Sequence, residues 1–364
     1  MRSVNLLYNP RIDQLRWFAA TLVFLFHYAL EWRSVGGVMV GSPWLGLVTE
    51  GHTGVALFFT LSGFLFMRIA QHQQQIHYAA FLRNRVLRIA PLYLTIFLLA
   101  TSLARDTFQP QDVLYLLSAN LGHAPTSQSV ITGGAWCIPL EFMFYLLLPF
   151  LSRFAMEQGK SYLWRLLAMM LVFKLMLYSE SEHASLMYFS TFVGRFDQFL
   201  IGMQAAMLYQ QHQAWLERWA GRLLLPMLVL VVCNSALQAQ VAPFNVVPKK
   251  AFWITWSMQE SAVWAGLIVL WVSWCGSLPA WLERGLTHGG KVSFSFYLLH
   301  MGVINMLARK FGLPAWTGVL VLDAVLALLL VYGAVWGVAT LSYHTIEEPF
   351  LRLRGAYGRQ PAEG

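Results

Sequence analysis

Charge is scarce in this sequence. Asp, Glu, Lys and Arg make up 12% of its 364 residues, against 57% hydrophobic. A soluble domain carries about 25% charged residues, so too little polar surface is present to cover a water-facing globule. Cysteine is scarce as well. Cys137, Cys233 and Cys275 show no metal-ligand spacing and no even-numbered disulfide framework, which leaves them as packing residues. No linker rich in proline, glycine or serine divides the chain, and no internal repeat of the kind many transporters carry is visible. A cleavable signal peptide is also missing: the first apolar stretch holds Arg16 and His27 and has no small-residue cleavage site after it, so it is expected to stay as a membrane span.

What the chain does have is apolar blocks of about 17–25 residues, the length that crosses a bilayer as helix. They fall near 12–31, 52–69, 90–104, 136–152, 162–178, 187–208, 223–239, 256–275, 292–308 and 316–340. The expected fold is an all-α integral membrane protein, a single bundle of about ten transmembrane helices. Basic residues fix its orientation. Arg2, Arg11, Arg68, Arg83, Arg85, Arg88, Arg153, Lys160, Arg165, Arg218, Arg222, Arg284, Lys291, Arg352, Arg354 and Arg359 fall on one side; Arg33, Arg105, Lys249, Lys250, Arg309 and Lys310 fall on the other. Positive residues hold loops inside, so both termini are expected in the cytoplasm. The net charge of +8 then reflects topology, and no nucleic-acid partner is expected. Residues 78–90, mixed apolar and basic before Pro91, read as an interfacial helix on the inner leaflet. The segment 105–135 is too short of apolar residues to cross and reads as re-entrant or surface-bound.

Charges inside spans cost about 2.5–3.5 kcal/mol each on insertion scales, so those that survive need a reason. Asp13 precedes Arg16 by one turn, close enough for an ion pair. Arg16 is either a snorkelling anchor paired to Asp13 or the start of a polar path along the helix. His27 lies eleven residues later on the same face, about 16 Å along the axis. It is either an interhelical packing contact or a group that takes a proton from a hydroxyl. Glu141 is deep in apolar sequence beside Pro139, expected to loosen the helix there; an ion pair and a site role both fit. Arg195 and Asp197 face different sides of their helix and need separate partners. His300 falls near mid-span, with packing and site roles both open. Lys174, Glu260 and Asp323 are taken as interhelix contacts. Arg85 and Arg88, three apart, share a face and suit phosphate groups or lipid headgroups. Ser62 and Gly63 let helices pack closely.

Seven collinear segments carry a resemblance: IDQLRWFAATLVFLFH (12–27), GVALFFTLSGFL (54–65), FLRNRVLRIAPLY (81–93), WCIPLEFMFYLLLP (136–149), GRFDQFLIG (194–202), SFSFYLLH (293–300) and IEEPFLRLR (346–354). Together the chain resembles the membrane-bound acyltransferase family 3, whose members acylate sugars of bacterial surface polysaccharides and lipopolysaccharide. The resemblance implies a multi-pass enzyme of the bacterial inner membrane, with acetyl-CoA as cytoplasmic donor and no metal. The acceptor it implies is a hydroxyl of a lipid-linked or nascent polysaccharide, an exopolysaccharide or O-antigen repeat unit. The family's arginine-histidine pair maps onto Arg16 and His27, its cytoplasmic arginine motif onto Arg85 and Arg88, its fourth-span glutamate onto Glu141 and its C-terminal Glu-x-Pro onto Glu347 and Pro349. Phe142 stands where relatives commonly carry an acidic or polar residue, against a second carboxylate there. The sequence ends at Gly364 with no esterase-like domain, so the membrane domain is expected to act alone.

The resulting expectation divides the chain into an acyltransferase domain, 1–345, and a cytoplasmic tail, 346–364. His27 and Glu141 are the expected catalytic residues, Glu141 orienting the imidazole. Arg16, Arg85, Arg88 and Ser62 hold the donor, with Ser62 and Gly63 leaving room for its pantetheine arm. Asp13, Trp136, Arg195, Asp197, His300 and Glu347 support the site. The opposing class is a transporter or flippase that moves a sugar lipid or small anion without covalent chemistry.

Overall fold

A computed structural model describes residues 6, 8–37, 41–74, 76–103, 105–107, 133–180, 188–243, 250–312 and 316–356. The surface segment expected within 105–135 lies mostly outside the described residues. All regular structure among them is helical: α1 Pro10–Ser34, α2 Thr53–Gln73, α3 Tyr78–Leu103, α4 Cys137–Gln158, α5 Lys160–Glu180, α6 Phe192–Val241, α7 Phe252–Ser273, α8 Ala280–Phe311 and α9 Leu320–Ser342. Seven described helices are long and apolar enough to cross a membrane. The other two, α1 and α7, are diluted by charge and by tryptophan and serine respectively, yet they lie in the bundle's interior. The outer helices turn bare apolar side chains outward, among them Leu98 and Leu103 on α3, Met176 on α5 and Leu329 and Leu341 on α9. Patches of that extent need a nonpolar covering. The chain is a multi-pass membrane protein.

Local sequence explains most helix ends. Asn9 caps α1 by accepting from the Arg11 N–H at 2.9 Å, with Pro10 in the first turn. Thr191 caps α6 by accepting from the Gly194 N–H at 3.2 Å. Asp323 is not an interhelix contact. Its carboxylate accepts from the backbone N–H groups of Trp316, Thr317 and Gly318 at 2.8–3.1 Å and ties the approach to α9.

Several sequence expectations change. No separate interfacial helix precedes the third span: α3 runs unbroken from Tyr78 through Pro91 to Leu103. A proline removes one backbone donor, a loss that packed membrane helices tolerate. Pro139 falls in the first turn of α4, where its missing N–H has no partner to lose, so it loosens nothing. The spans expected at 187–208 and 223–239 are the two limbs of α6, which breaks at His212. The limbs run in opposite directions along α2. Gly202 meets Thr60, and Tyr209 faces Arg68 at 4.6 Å, whereas Gln238 returns to His52 at 3.1 Å.

Close backbone approach holds the centre together. A Cβ on Gly63 would lie 2.1 Å from the Phe199 carbonyl oxygen, and one on Gly202 would lie 2.0 Å from that of Thr60. Glycine at both positions brings α2 and α6 into contact. Gly63 therefore serves this interface and leaves no room for a ligand.

After α9 a π-helical turn, Tyr343–Glu347, leads into a short helix, Glu348–Leu351. The chain then returns to α3. Asn84 donates to the Gly355 carbonyl at 2.6 Å and accepts from its N–H at 3.2 Å.

Candidate active site

Two groups of charged residues among the helices differ in their chemistry. The first is charge-balanced and fully buried. Lys174 on α5 donates to Asp197 on α6 and to Ser257 on α7, and Ser257 donates to Asp197 at 2.7 Å. Arg195 reaches Glu260 at 3.2 Å, and Gln198 donates to the same oxygen at 3.1 Å. The Arg195 guanidinium also lies 5.8 Å from the Trp136 ring and donates through Nε to the Phe189 carbonyl at 2.8 Å. Two cations face two anions in a fully buried cluster that joins α5, α6 and α7. Such pairs fix register more than they stabilise. Trp136, Arg195 and Asp197 thus sit together in a structural network, and none of them lines the cavity described next.

The second group lines a cavity of about 570 Å³. Its walls carry Arg16, Arg85, Arg88, Lys291 and Arg354, against the acids Asp13, Glu141 and Glu348. Positive charge is in excess. Along α2 the cavity runs from Ile69 to Phe58, about 16 Å of helix. Asp13 partly neutralises Arg16 across one turn at 2.9 Å and also accepts from Tyr8 at 2.9 Å. Arg88 meets Glu347 at 3.4 Å. Glu347, buried in the π turn, also accepts from Ser295, so it anchors Arg88 from behind and does not line the cavity. Arg85 spreads its guanidinium 4.8 Å from the Phe66 ring, and its buried Nε has no hydrogen-bond partner among the described residues. Burial, and then the neighbouring Arg88 and Arg85, pull Arg354 down to about 10. These cations are held together short of counter-charge, as an anion-binding basin would be.

At the deeper end Ser62 donates to Glu141 at 3.0 Å, and Tyr145 donates to the same oxygen. Glu141 therefore does not orient His27. The reason is position: Glu141 faces α2 below the aromatic end of the cavity, and His27 lies beyond that end. Phe58 and Tyr297 close it with rings 5.9 Å apart, edge to face, and Cys137 donates to the Tyr297 hydroxyl at 3.0 Å. The partner of His27 is His300, Nδ1 to Nε2 at 2.9 Å. Neither histidine lines the cavity; His300 sits one turn past Tyr297.

The structure thus brings Asp13, Arg16, Ser62, Arg85, Arg88 and Glu141 to one cavity and joins His27 to His300 beyond it. The sequence reading missed Lys291, Arg354, Tyr145 and Tyr297. Tyr145 was accessible in principle, since it follows Glu141 by four residues on one helical face. Arg354 lay inside a quoted motif without a role.

The acyltransferase domain family profile matches residues 9–343. Acyltransferase MdmB of Streptomyces mycarofaciens is 27% identical over 385 residues, an alignment covering 95% of this chain and 92% of that protein. No solved structure matches the chain.

Proposed function

Because this chain belongs to the acyltransferase domain family and is an enzyme that transfers acyl groups, we propose that it moves an acetyl group from cytoplasmic acetyl-CoA to a sugar hydroxyl of a lipid-linked or nascent surface polysaccharide. It does so in the bacterial inner membrane, with about ten spans and both termini in the cytoplasm. The second limb of α6 and the buried helices α1 and α7 are compatible with that count, since each adds a crossing to the seven counted by apolarity alone. The observation that carries the reading is the basic cavity. Arg85, Arg88, Lys291 and Arg354 gather at the end of the bundle where α1 begins and α9 ends, and Ser62 and Glu141 lie farther in.

The phosphates of the donor rest on those four cations, with Arg16 deeper on the same wall. The pantetheine arm extends along α2 past Ser62, and the acyl end passes when the Phe58–Tyr297 pair parts. The acceptor approaches from the opposite leaflet. The His27 imidazole takes the proton of the sugar hydroxyl, and the oxygen attacks the thioester carbonyl. The carbon–sulfur bond breaks, and the CoA thiolate takes the proton back from the imidazolium. General-base help of this kind is worth about 10²–10⁴ in rate. An acyl-histidine route uses the same atoms in two steps. Asp13 holds Arg16, Glu347 holds Arg88, and the Arg195–Asp197 network with Trp136 holds the helices that frame the site. Residues 346–364 form a cytoplasmic tail whose first part, through Gly355, completes the basin.

The test uses the chain in nanodiscs with acetyl-labelled acetyl-CoA and a glycolipid extract of the host membrane. Free thiol and a glycolipid heavier by one acetyl group should appear together, and His27→Ala should abolish both in a protein that still folds. Label transfer undiminished in His27→Ala would remove the assignment; glycolipid crossing the bilayer without any ester would favour the transporter class.

A further inference from the structure

Two backbone carbonyls decide where the protons sit on the histidine pair. His300 Nδ1 lies within hydrogen-bond distance of the Tyr297 carbonyl oxygen. A carbonyl only accepts, so Nδ1 carries the proton. A neutral imidazole has one N–H, which leaves His300 Nε2 as a bare acceptor. That nitrogen is 2.9 Å from His27 Nδ1. His27 Nδ1 in turn lies 3.0 Å from the Val23 carbonyl oxygen. A bare lone pair there would face another lone pair. His27 Nδ1 is therefore protonated and shares its proton between Val23 and His300. The rings stand 4.9 Å apart and tilted by 50°, as an in-plane N–H to N bond between different helices allows. By elimination His27 Nε2 holds the free lone pair, and it makes no hydrogen bond among the described residues.

We propose that His300 is a positioning residue for the acyl transfer: it accepts the Nδ1 proton of His27 and so fixes the ring and the tautomer that present Nε2 to the acceptor hydroxyl. This rests on the reading of His27 as the base. When His27 gains the hydroxyl proton at Nε2, its Nδ1–H to His300 becomes a charge-assisted bond and strengthens in the transition state. A carboxylate in the same place would orient the ring equally well, but it would hold an anion in the hydrocarbon region, where insertion is costly. A neutral histidine orients the base without that penalty. The Tyr297 carbonyl then acts at one remove, since it sets the tautomer of the residue that sets the base.

The experiment compares His300→Gln with His300→Met, side chains of similar length of which only glutamine offers an oxygen to accept the Nδ1 proton. Each variant replaces the wild-type chain in its own host. Isolated membranes, which hold the natural acceptor, receive radiolabelled acetyl-CoA, and incorporation is normalised to folded protein. His300→Met should lower kcat about 10- to 100-fold, the usual scale for a residue that orients a functional imidazole, with the KM for acetyl-CoA unchanged. His300→Gln should recover most of kcat. In a His27→Ala background, His300→Met should cause no further loss. Equal loss in both His300 variants would make the residue merely structural, and a change confined to KM would make it a binding group; either overturns the inference. Normal kcat in His300→Met alongside an inactive His27→Ala would remove the inference and leave the base intact. Normal activity in His27→Ala would remove both.

Discussion

Arg354 offers the sharpest test of the basic cavity, because binding and folding pull it in opposite directions. Asn84 pins Gly355 through both backbone groups and thereby delivers the preceding Arg354 into the basin. Burial, with Arg88 and Arg85 beside it, lowers its pKa from the usual guanidinium range to about 10. The charged form is thus disfavoured in the folded protein. The sign follows from proton counts. Below about pH 10 Arg354 is charged in both folded and unfolded chains, and the full penalty is present. Above about pH 10 the unfolded chain still holds the proton that the folded one releases, so stability from this group rises with pH. At neutral pH the penalty is constant and shows only on substitution. Arg354→Gln should therefore raise the thermal midpoint of the donor-free protein. The same change removes a charged partner for a phosphate, worth about 1.5–3 kcal/mol, so the KM for acetyl-CoA should rise about 10- to 150-fold with kcat little altered. A thermal-unfolding scan in detergent, with and without the donor, reads both effects, and the donor-induced rise in midpoint should shrink in the variant. A variant that is less stable without donor and unchanged in KM would make Arg354 a packing residue and refute the basin.

Three further outcomes follow from the same geometry. Lys174→Met should destabilise by about 3–5 kcal/mol, because it strands the buried Asp197 carboxylate; Lys174→Met with Asp197→Asn should recover much of that loss in thermal scans, and neither should move the KM for acetyl-CoA of the folded fraction. Gly63→Ala sets a Cβ 2.1 Å from the Phe199 carbonyl and should cost about 1–3 kcal/mol of stability, seen as a lower midpoint with unchanged donor affinity. Phe58→Trp should thicken the aromatic wall between the basin and His27, lowering kcat while the donor-induced thermal shift persists; unchanged turnover would place the acyl path elsewhere.

Local rules carried the sequence reading as far as they reach. Arg85 and Arg88 share a face because they are three apart, and both line the cavity. Asp13 and Arg16 pair across one turn as their spacing requires. Properties set by distant segments were not legible. His27 and His300 are 273 residues apart in sequence, and no spacing rule joins them. The reversal at His212 has neither proline nor glycine at the break, so the two limbs read as separate spans with an unremarked join. Pro91 read as a stop because a proline ends most soluble helices, yet neighbouring helices carry α3 through it. Glu141 was assigned to the wrong partner because its depth could be estimated from sequence but the face it turns to could not.

Depth also fails to separate structural from functional charge, since Lys174, Asp197, Arg195 and Glu260 are more buried than any charged residue of the cavity. Stoichiometry separates them. In the α5–α6–α7 cluster every cation has an anion in contact. In the cavity five basic side chains meet three acids; Asp13 pairs with Arg16 and Glu347 holds Arg88 from behind, which leaves Arg85, Lys291 and Arg354 with no carboxylate in contact among the described residues. An excess of like charge held at a membrane protein's basic end is costly in the absence of a ligand. It is retained where an anion arrives to complete it. The same contrast accounts for the histidines. Their pair is neutral and closed on both Nδ1 atoms by carbonyls, leaving one nitrogen, His27 Nε2, without a partner among the described residues. On the proposed reading, unmet demand for negative charge at the basin and an unmet lone pair beyond Tyr297 are the two ends of the acyl path.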